Sequence, residues 1–279
     1  MVWVVQLFRK NMSEPKMNEG IFVAVSGAIK QQRILDVLSN NLANINTPGF
    51  KKDQMAFEEL IPPFKNLSIP STNPGKFLIL KFQDKSISYV GISGFSTDFS
   101  QGVMTNTGNS FDMAIEGDGF FAVKTGEGVR YTRTGNFTLD DQARMVNKQG
   151  QPFLDINNKP IFFPPAAGQI TIGNDGLVSF NTEGTSQTIA QLKTVRFSEK
   201  SQLIKEGNGL YKLSNPEVVE EFPVNIKVLQ GFIEASNVNV IEEMVAMIQS
   251  VRLFEAYQKL IQSIDEADNQ SVNVIARVA

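Results

Sequence analysis

The two ends of this chain carry the same pattern. Near the N-terminus, Ile21, Ala24, Ala28, Leu35, Leu38, Leu42 and Ile45 recur at alternating spacings of three and four, with Gln31 as the one polar member. Near the C-terminus, Val240, Met244, Met247, Val251, Phe254 and Ile261 step in the same way, with Gln258 as the interruption. This is the heptad spacing of a helix that buries one seam against another helix. A helix over 19–46 would be roughly 40 Å long, and one within 231–275 could exceed about 50 Å, at 1.5 Å per residue. Asn18 can cap the first helix and Glu19 suits its positive end, while Asn239 with Glu242 resembles a capping box for the second. The C-terminal pattern has a second apolar stripe of Ile241, Val245, Ile248, Leu253, Tyr257, Leu260 and Ile264. One partner helix cannot cover two stripes, so either the rest of the chain or neighbouring subunits must cover the second.

Between the ends the pattern changes to short apolar runs. Residues 77–80, 120–123, 170–172 and 192–195 read as strands, and Glu116-Gly117-Asp118-Gly119, Thr125-Gly126-Glu127-Gly128 and Asn174-Asp175-Gly176 read as turns. Residues 61–75 hold four prolines and little pattern. The expected organisation is an extension over 1–16, an N-terminal helix over 17–50, a linker or extended arm over 51–79, an all-β domain over 80–228 and a C-terminal helix over 229–279. The expected fold class is α+β, with long N- and C-terminal helices pairing as a coiled coil and an all-β middle domain inserted between them.

Composition bears mainly on chemistry. The 279 residues include no cysteine and no histidine, which removes disulfides, thiolate chemistry and the commonest general base and metal ligand. The net charge of −3 and the lack of a basic stripe speak against a nucleic-acid partner. Gly117 and Gly119 do not precede a helix, so they form no phosphate cradle. Asp140, Asp141 and Asp155 fit hairpin turns better than any calcium loop, and Lys51 and Lys52 read as a solvated face. No catalytic, cofactor or metal site is expected. A carboxylate-based hydrolase stays open, since two acids facing across a cleft are invisible in sequence. Residues 2–8 are apolar but too short for a membrane span or a clean secretory signal. With Met17 standing before the helical pattern, 1–16 reads as a mis-assigned start, and no membrane insertion is expected.

Three blocks then carry a resemblance. Asn40-Asn41-Leu42-Ala43-Asn44 followed by Thr47, Gly49, Phe50 and Lys51 resembles the N-terminal signature of the bacterial flagellar rod and hook proteins. Ile115-Glu116-Gly117-Asp118-Gly119-Phe120-Phe121 with Arg130-Tyr131-Thr132-Arg133-Thr134-Gly135 resembles their middle domain. Gly231 with Glu234-Ala235-Ser236-Asn237-Val238-Asn239 resembles the start of their C-terminal helix. The blocks stand in the family's order and cover most of the chain after Met17. The resemblance implies a non-catalytic axial component of the basal body, exported through the flagellar type III apparatus. It would polymerise with copies of itself and other rod proteins into a periplasm-spanning tube that passes torque from motor to hook. Residues 60–100 lack the short Tyr-Gln-Thr-containing segment of the distal-rod type, and the tail from Ile264 to Asn269 looks more like the proximal type. A distal-rod protein, and a secreted β-rich binding module on a helical oligomerisation stalk, are the alternatives.

In such a tube the candidate assembly residues are Leu35, Leu38, Leu42 and Ile45 with the amides Asn40, Asn41 and Asn44 on the first helix, and Val240, Met244, Met247, Val251, Phe254 and Ile261 on the second. Amides carry donors and acceptors without charge, so they can bond to neighbouring backbones and fix register. The alternative is that they only cap a fraying last turn. Thr47-Pro48-Gly49 stops the helix either way.

Overall fold

The computed structural model describes residues 19–60, 67–70, 77–80, 89–164, 168–182, 185–215, 218–222 and 226–278. The expected cap Asn18, the extension over 1–16 and much of the proline-rich stretch lie outside the described residues. Among the described residues the fold is α+β, with one α-helix towards each end and a middle made mostly of strands. The chain divides into two compact units. One comprises Met1–Ser39, Met55–Phe95 and Met244–Ala279, and the other Asn40–Gln54 and Ser96–Glu243.

The N-terminal helix is Glu19–Ala43 and the C-terminal helix is Val240–Val278. Asn239 caps the latter, its side-chain oxygen accepting the Ile241 N–H at 3.1 Å, and Glu242 and Glu243 lie in the first turn where the helix dipole favours acids. In the first unit the two helices touch in antiparallel order. The Ser250 hydroxyl donates to the Gln31 side-chain carbonyl at 2.8 Å. A Cβ added at Gly27 would lie 2.5 Å from the Tyr257 ring, and one at Gly20 would lie 3.7 Å from Ile264. The less exposed positions of the C-terminal helix here are Ala246 and the series Met247, Ser250, Phe254, Tyr257, Ile261 and Ile264, which steps by three and four. The expected stripe is therefore displaced by one position at several points. Ser250 and Tyr257 take the places read for Val251 and Gln258, and Met244 and Val251 are 49% and 39% exposed. Polarity alone misleads here, because Ser250 is buried by bonding Gln31.

The strand Asp53–Leu60 pairs with Tyr89–Thr97, and Leu67–Pro70 pairs antiparallel with Phe77–Leu80. The stretch read as a linker or extended arm over 51–79 carries the strands Asp53–Leu60, Leu67–Pro70 and Phe77–Leu80. Pro70 is tolerated because it ends its strand.

The second unit is built around a five-stranded sheet in the order Thr194–Val195, Phe120–Thr125, Gly128–Thr132, Leu210–Leu213 and Leu203–Gly207. Phe120, Phe121, Ala122 and Val123 are all buried, because the sheet is covered on both faces. Phe121 and Val123 join Met113, Ile115, Phe137 and Phe153 in one core, and Phe120 and Ala122 join Tyr131, Phe197 and Tyr211 in the other. A three-stranded sheet of Ile170–Ile172, Leu177–Thr182 and Thr185–Gln191 supplies a further wall. The turns read at 125–128 and 174–176 join antiparallel neighbours. Asp140 and Asp155 hold tight turns, Asp140 accepting the backbone N–H of Gln142 and Arg144, and Asp155 those of Asn157 and Lys159.

Candidate functional site at the roots of the terminal helices

The asparagine-rich block divides into different jobs. Asn41 is 1% exposed. Its amide nitrogen donates to the Asp53 carbonyl at 3.0 Å and to a Glu243 carboxylate oxygen at 3.3 Å, while its oxygen accepts the Asp53 N–H at 2.9 Å. The amide thus serves its own chain, mimicking a strand neighbour for Asp53. Asn44 donates to the Asn40 carbonyl at 2.9 Å and accepts from the Thr47 hydroxyl at 3.2 Å, which closes the end of the helix. Asn40 itself is exposed. Gly49 then has φ +69° and lies so close to the Arg133 carbonyl carbon that a Cβ would approach it to 2.7 Å. Glycine is required here twice, for the left-handed backbone and for the approach.

Lys51 corrects the sequence reading. Expected on a solvated face, its side chain is fully buried and its ammonium lies 2.5 Å from the equally buried Glu234 carboxylate. It also donates to the Ser100 carbonyl at 2.7 Å. Burial lowers the Lys51 pKa, and the facing Glu234 carboxylate opposes that shift. Arg133 lies 3.4 Å from the other Glu234 oxygen and 5.2 Å from the centre of the Phe120 ring; its pKa is likewise lowered by burial and held up by Glu234 and Asp118. A buried lysine persists only with a partner of opposite charge. That partner stands 183 residues away in sequence, so no local signal announces it. Lys52 does stay partly exposed, 3.8 Å from Asp98. Asn237 completes the root: its oxygen accepts the Lys52 N–H at 2.8 Å and its nitrogen donates to the Asp98 carbonyl at 2.8 Å. Lys205 adds a bond to Asp53 at 2.9 Å and sits 4.1 Å from the centre of the Phe50 ring. A carboxylate enclosed by two cations and shut from solvent holds backbone in place; it offers no acid or base to a ligand.

The remaining candidate residues fall into two groups. Leu38 is buried, and Leu35, Leu42, Ile45, Met247, Phe254 and Ile261 are half-buried. Val240, Met244 and Val251 are exposed. With them in the exposed set stand Ile241 at 75%, Val245 at 49%, Ile248 at 51%, Leu253 at 48% and Leu260 at 47%. Much of the second stripe expected from the sequence is therefore uncovered, with Tyr257 and Ile264 turned inward instead. The sequence reading missed Ser250, Lys51, Arg133 and Glu234 as positioning residues.

Three family models match the chain in order. Residues 21–51 match the flagella basal body rod protein model, 114–180 the D1 domain of the flagellar hook protein FlgE/F/G, and 229–274 the C-terminal region of the flagellar basal body rod FlgEFG proteins. The chain is 32% identical to the flagellar basal-body rod protein FlgF of Caulobacter vibrioides over 94% of its own length and 100% of that protein. It is 34% identical to the flagellar basal-body rod protein FlgG of Bacillus subtilis over 92% of its own length and 99% of that protein. To FlgF of Rhizobium meliloti it is 30% identical over 93% of its own length and 98% of that protein. The matched segments are the ones that meet at the helix roots, and the chain belongs to the flagellar basal-body rod protein family: it is a structural subunit of the rod, not an enzyme.

Proposed function

We propose that the subunit polymerises through its terminal helices into the axial tube of the rod, with the two helices pairing along their heptad seams as a coiled coil and the outer face of the C-terminal helix packing on neighbouring subunits. The observation that carries this is the exposed apolar face formed by Ile241, Met244, Val245, Ile248 and Val251. A lone subunit in water gains nothing from such a face, and an assembly gains the burial of each residue, about 1.5–3 kcal/mol for a side chain fully covered. Gln31 and Ser250 add a polar layer to the inner seam, a device that fixes register in helix pairs. Within the assembly we place the seam residues Leu35, Leu38, Met247, Phe254 and Ile261 inside the helix pair, and Val240, Met244 and Val251 between subunits. The tube carries torque from motor to hook, and the subunit reaches it unfolded through the flagellar type III apparatus. Similar identity to relatives named FlgF and FlgG leaves its place along the rod to the 60–100 segment and the tail, which favour the proximal part.

The test is the double substitution Val245→Glu and Ile248→Glu in the full chain. The purified protein should keep its circular dichroism spectrum, because both side chains already face solvent. Complementation of a deletion strain should fail, with no rod in isolated basal bodies. Normal swimming with complete rods would overturn the reading.

A further inference from the structure

The three segments that match the family models converge on one buried point, and all of that point lies in the β-rich unit. Glu234 accepts from Lys51 at 2.5 Å, from the Gly102 backbone N–H at 2.8 Å and from Arg133 at 3.4 Å. The Gly49 N–H donates to the Glu234 carbonyl at 2.7 Å. Asn41 joins Asp53 to Glu243, and Asn237 joins Lys52 to Asp98. We propose that residues 40–54 and 231–243, the roots of both terminal helices, are a folded part of the β-rich unit in the free subunit, so that ordering on assembly is confined to helix residues up to Ser39 and beyond Glu243.

The argument is one of cooperativity. Each ion of the cluster comes from a different stretch of chain. If the Glu234 stretch leaves, Lys51 keeps a desolvated charge without its ion partner and Arg133 keeps only Asp118 at 3.8 Å; if the Lys51 stretch leaves, Glu234 keeps only the longer contact to Arg133, so each loss weakens the whole set. The cluster is tied to the five-stranded sheet by Lys205 on its edge strand, whose ammonium donates to the Lys51 carbonyl at 2.6 Å and to Asp53 at 2.9 Å, and by Arg133, which directly follows the strand Gly128–Thr132, so the roots share that sheet's stability. Among the described residues, the helix positions outside the roots hold no buried ion cluster of this kind. Their inner seam is punctuated by Gln31 and Ser250, and their outer face is apolar and uncovered. The second half of the proposal rests on the assembly reading above; the first half does not.

The experiment is native-state amide exchange on the full-length subunit, held monomeric by dilution. The amides of Gly49, Asp53, Ala235 and Glu243 should be protected to within about tenfold of Ala122 in the sheet and of Leu154, whose N–H donates to the Ala122 carbonyl. Amides within 22–38 and 246–268 should exchange at least about a hundredfold faster. Glu234→Gln keeps the shape and removes the anion, and should speed root exchange by about a hundredfold while the sheet stays protected. If that variant does not fold, Lys51→Met leaves Glu234 paired with Arg133, and should still loosen the root by about tenfold. Roots that exchange as fast as 22–38 in the unaltered protein, or that stay protected in the folded variant, would overturn the proposal. Assembly is not read in this measurement, so its outcome is independent of whether the outer helix face packs in the rod.

Discussion

Asn41→Asp changes one atom in size and reverses the chemistry of a buried site. The amide nitrogen that now donates to the Asp53 carbonyl at 3.0 Å and to Glu243 at 3.3 Å becomes an oxygen facing two acceptors. Losing donors against buried acceptors costs about 1–3 kcal/mol per group. Two carboxylates at that separation repel by up to roughly 5 kcal/mol at an effective dielectric of about 20, and protonation of one of them caps the cost. A net loss of about 3–5 kcal/mol follows, which for a unit of this size lowers its melting temperature by roughly 6–20 °C. The sign of the pH dependence is fixed. Repulsion raises a carboxyl pKa in the folded state, so the folded variant binds the extra proton, and its deficit is smallest near pH 4 and grows towards neutrality. Asn41→Ala loses the same bonds without the charge, and its deficit should not change over that range. Thermal unfolding followed by circular dichroism at pH 4.5 and pH 8 reads both. An Asn41→Asp melting point within about 2 °C of the parent at pH 8 would refute the assignment of Asn41 to an internal bond, and would return it to the subunit surface.

Gly49→Ala should destabilise the same unit by more than about 1 kcal/mol, because it adds strain at φ +69° to a 2.7 Å approach on backbone that cannot swing aside; chemical denaturation checks it. The carboxyls of Glu206, bonded by Arg130, and of Glu221, bonded by Ser198, are held below their ordinary range. Groups lowered by folding stabilise above their unfolded pKa and lose that contribution as pH falls through the folded one, so stability should hold from pH 8 to about pH 5 and drop below about pH 4 in an acid titration.

Much of the architecture was legible because it depends on period. Heptad spacing marked both helices, and glycine-containing turns between apolar runs, Thr125-Gly126-Glu127-Gly128 and Asn174-Asp175-Gly176, marked the hairpins around Phe120–Thr125 and Leu177–Thr182. The phase of the C-terminal seam was not legible. Apolar residues such as Val251 and polar ones such as Ser250 are adjacent, and hydrophobicity chose the wrong one because a bond to Gln31 makes the serine welcome inside. Lys51 failed for a related reason. Burial of a charge is decided by a partner far away in sequence, and Glu234 gives no sign of being that partner until the fold brings it near. Asn41 was singled out correctly as unusual, but its bonding partner was sought on another subunit when the nearest unmet backbone groups were twelve residues ahead at Asp53.

The central strand has a further consequence for the chain before it folds. Phe120 to Val123 is an uncharged run of β-forming residues, the kind of segment that pairs with its own copies when exposed. In the finished protein both of its faces are covered. Until then its protection is chemical: Asp118 stands two residues before it and Lys124 directly after it, and the strand that will pair beside it carries Arg130 within it and Arg133 directly after it. Charges so placed act as gatekeepers against aggregation. Asp118 and Arg133, 3.8 Å apart in the folded unit, therefore act twice over the life of the molecule, first by keeping loose chains apart in solution and later by neutralising one another beside the strand they guarded.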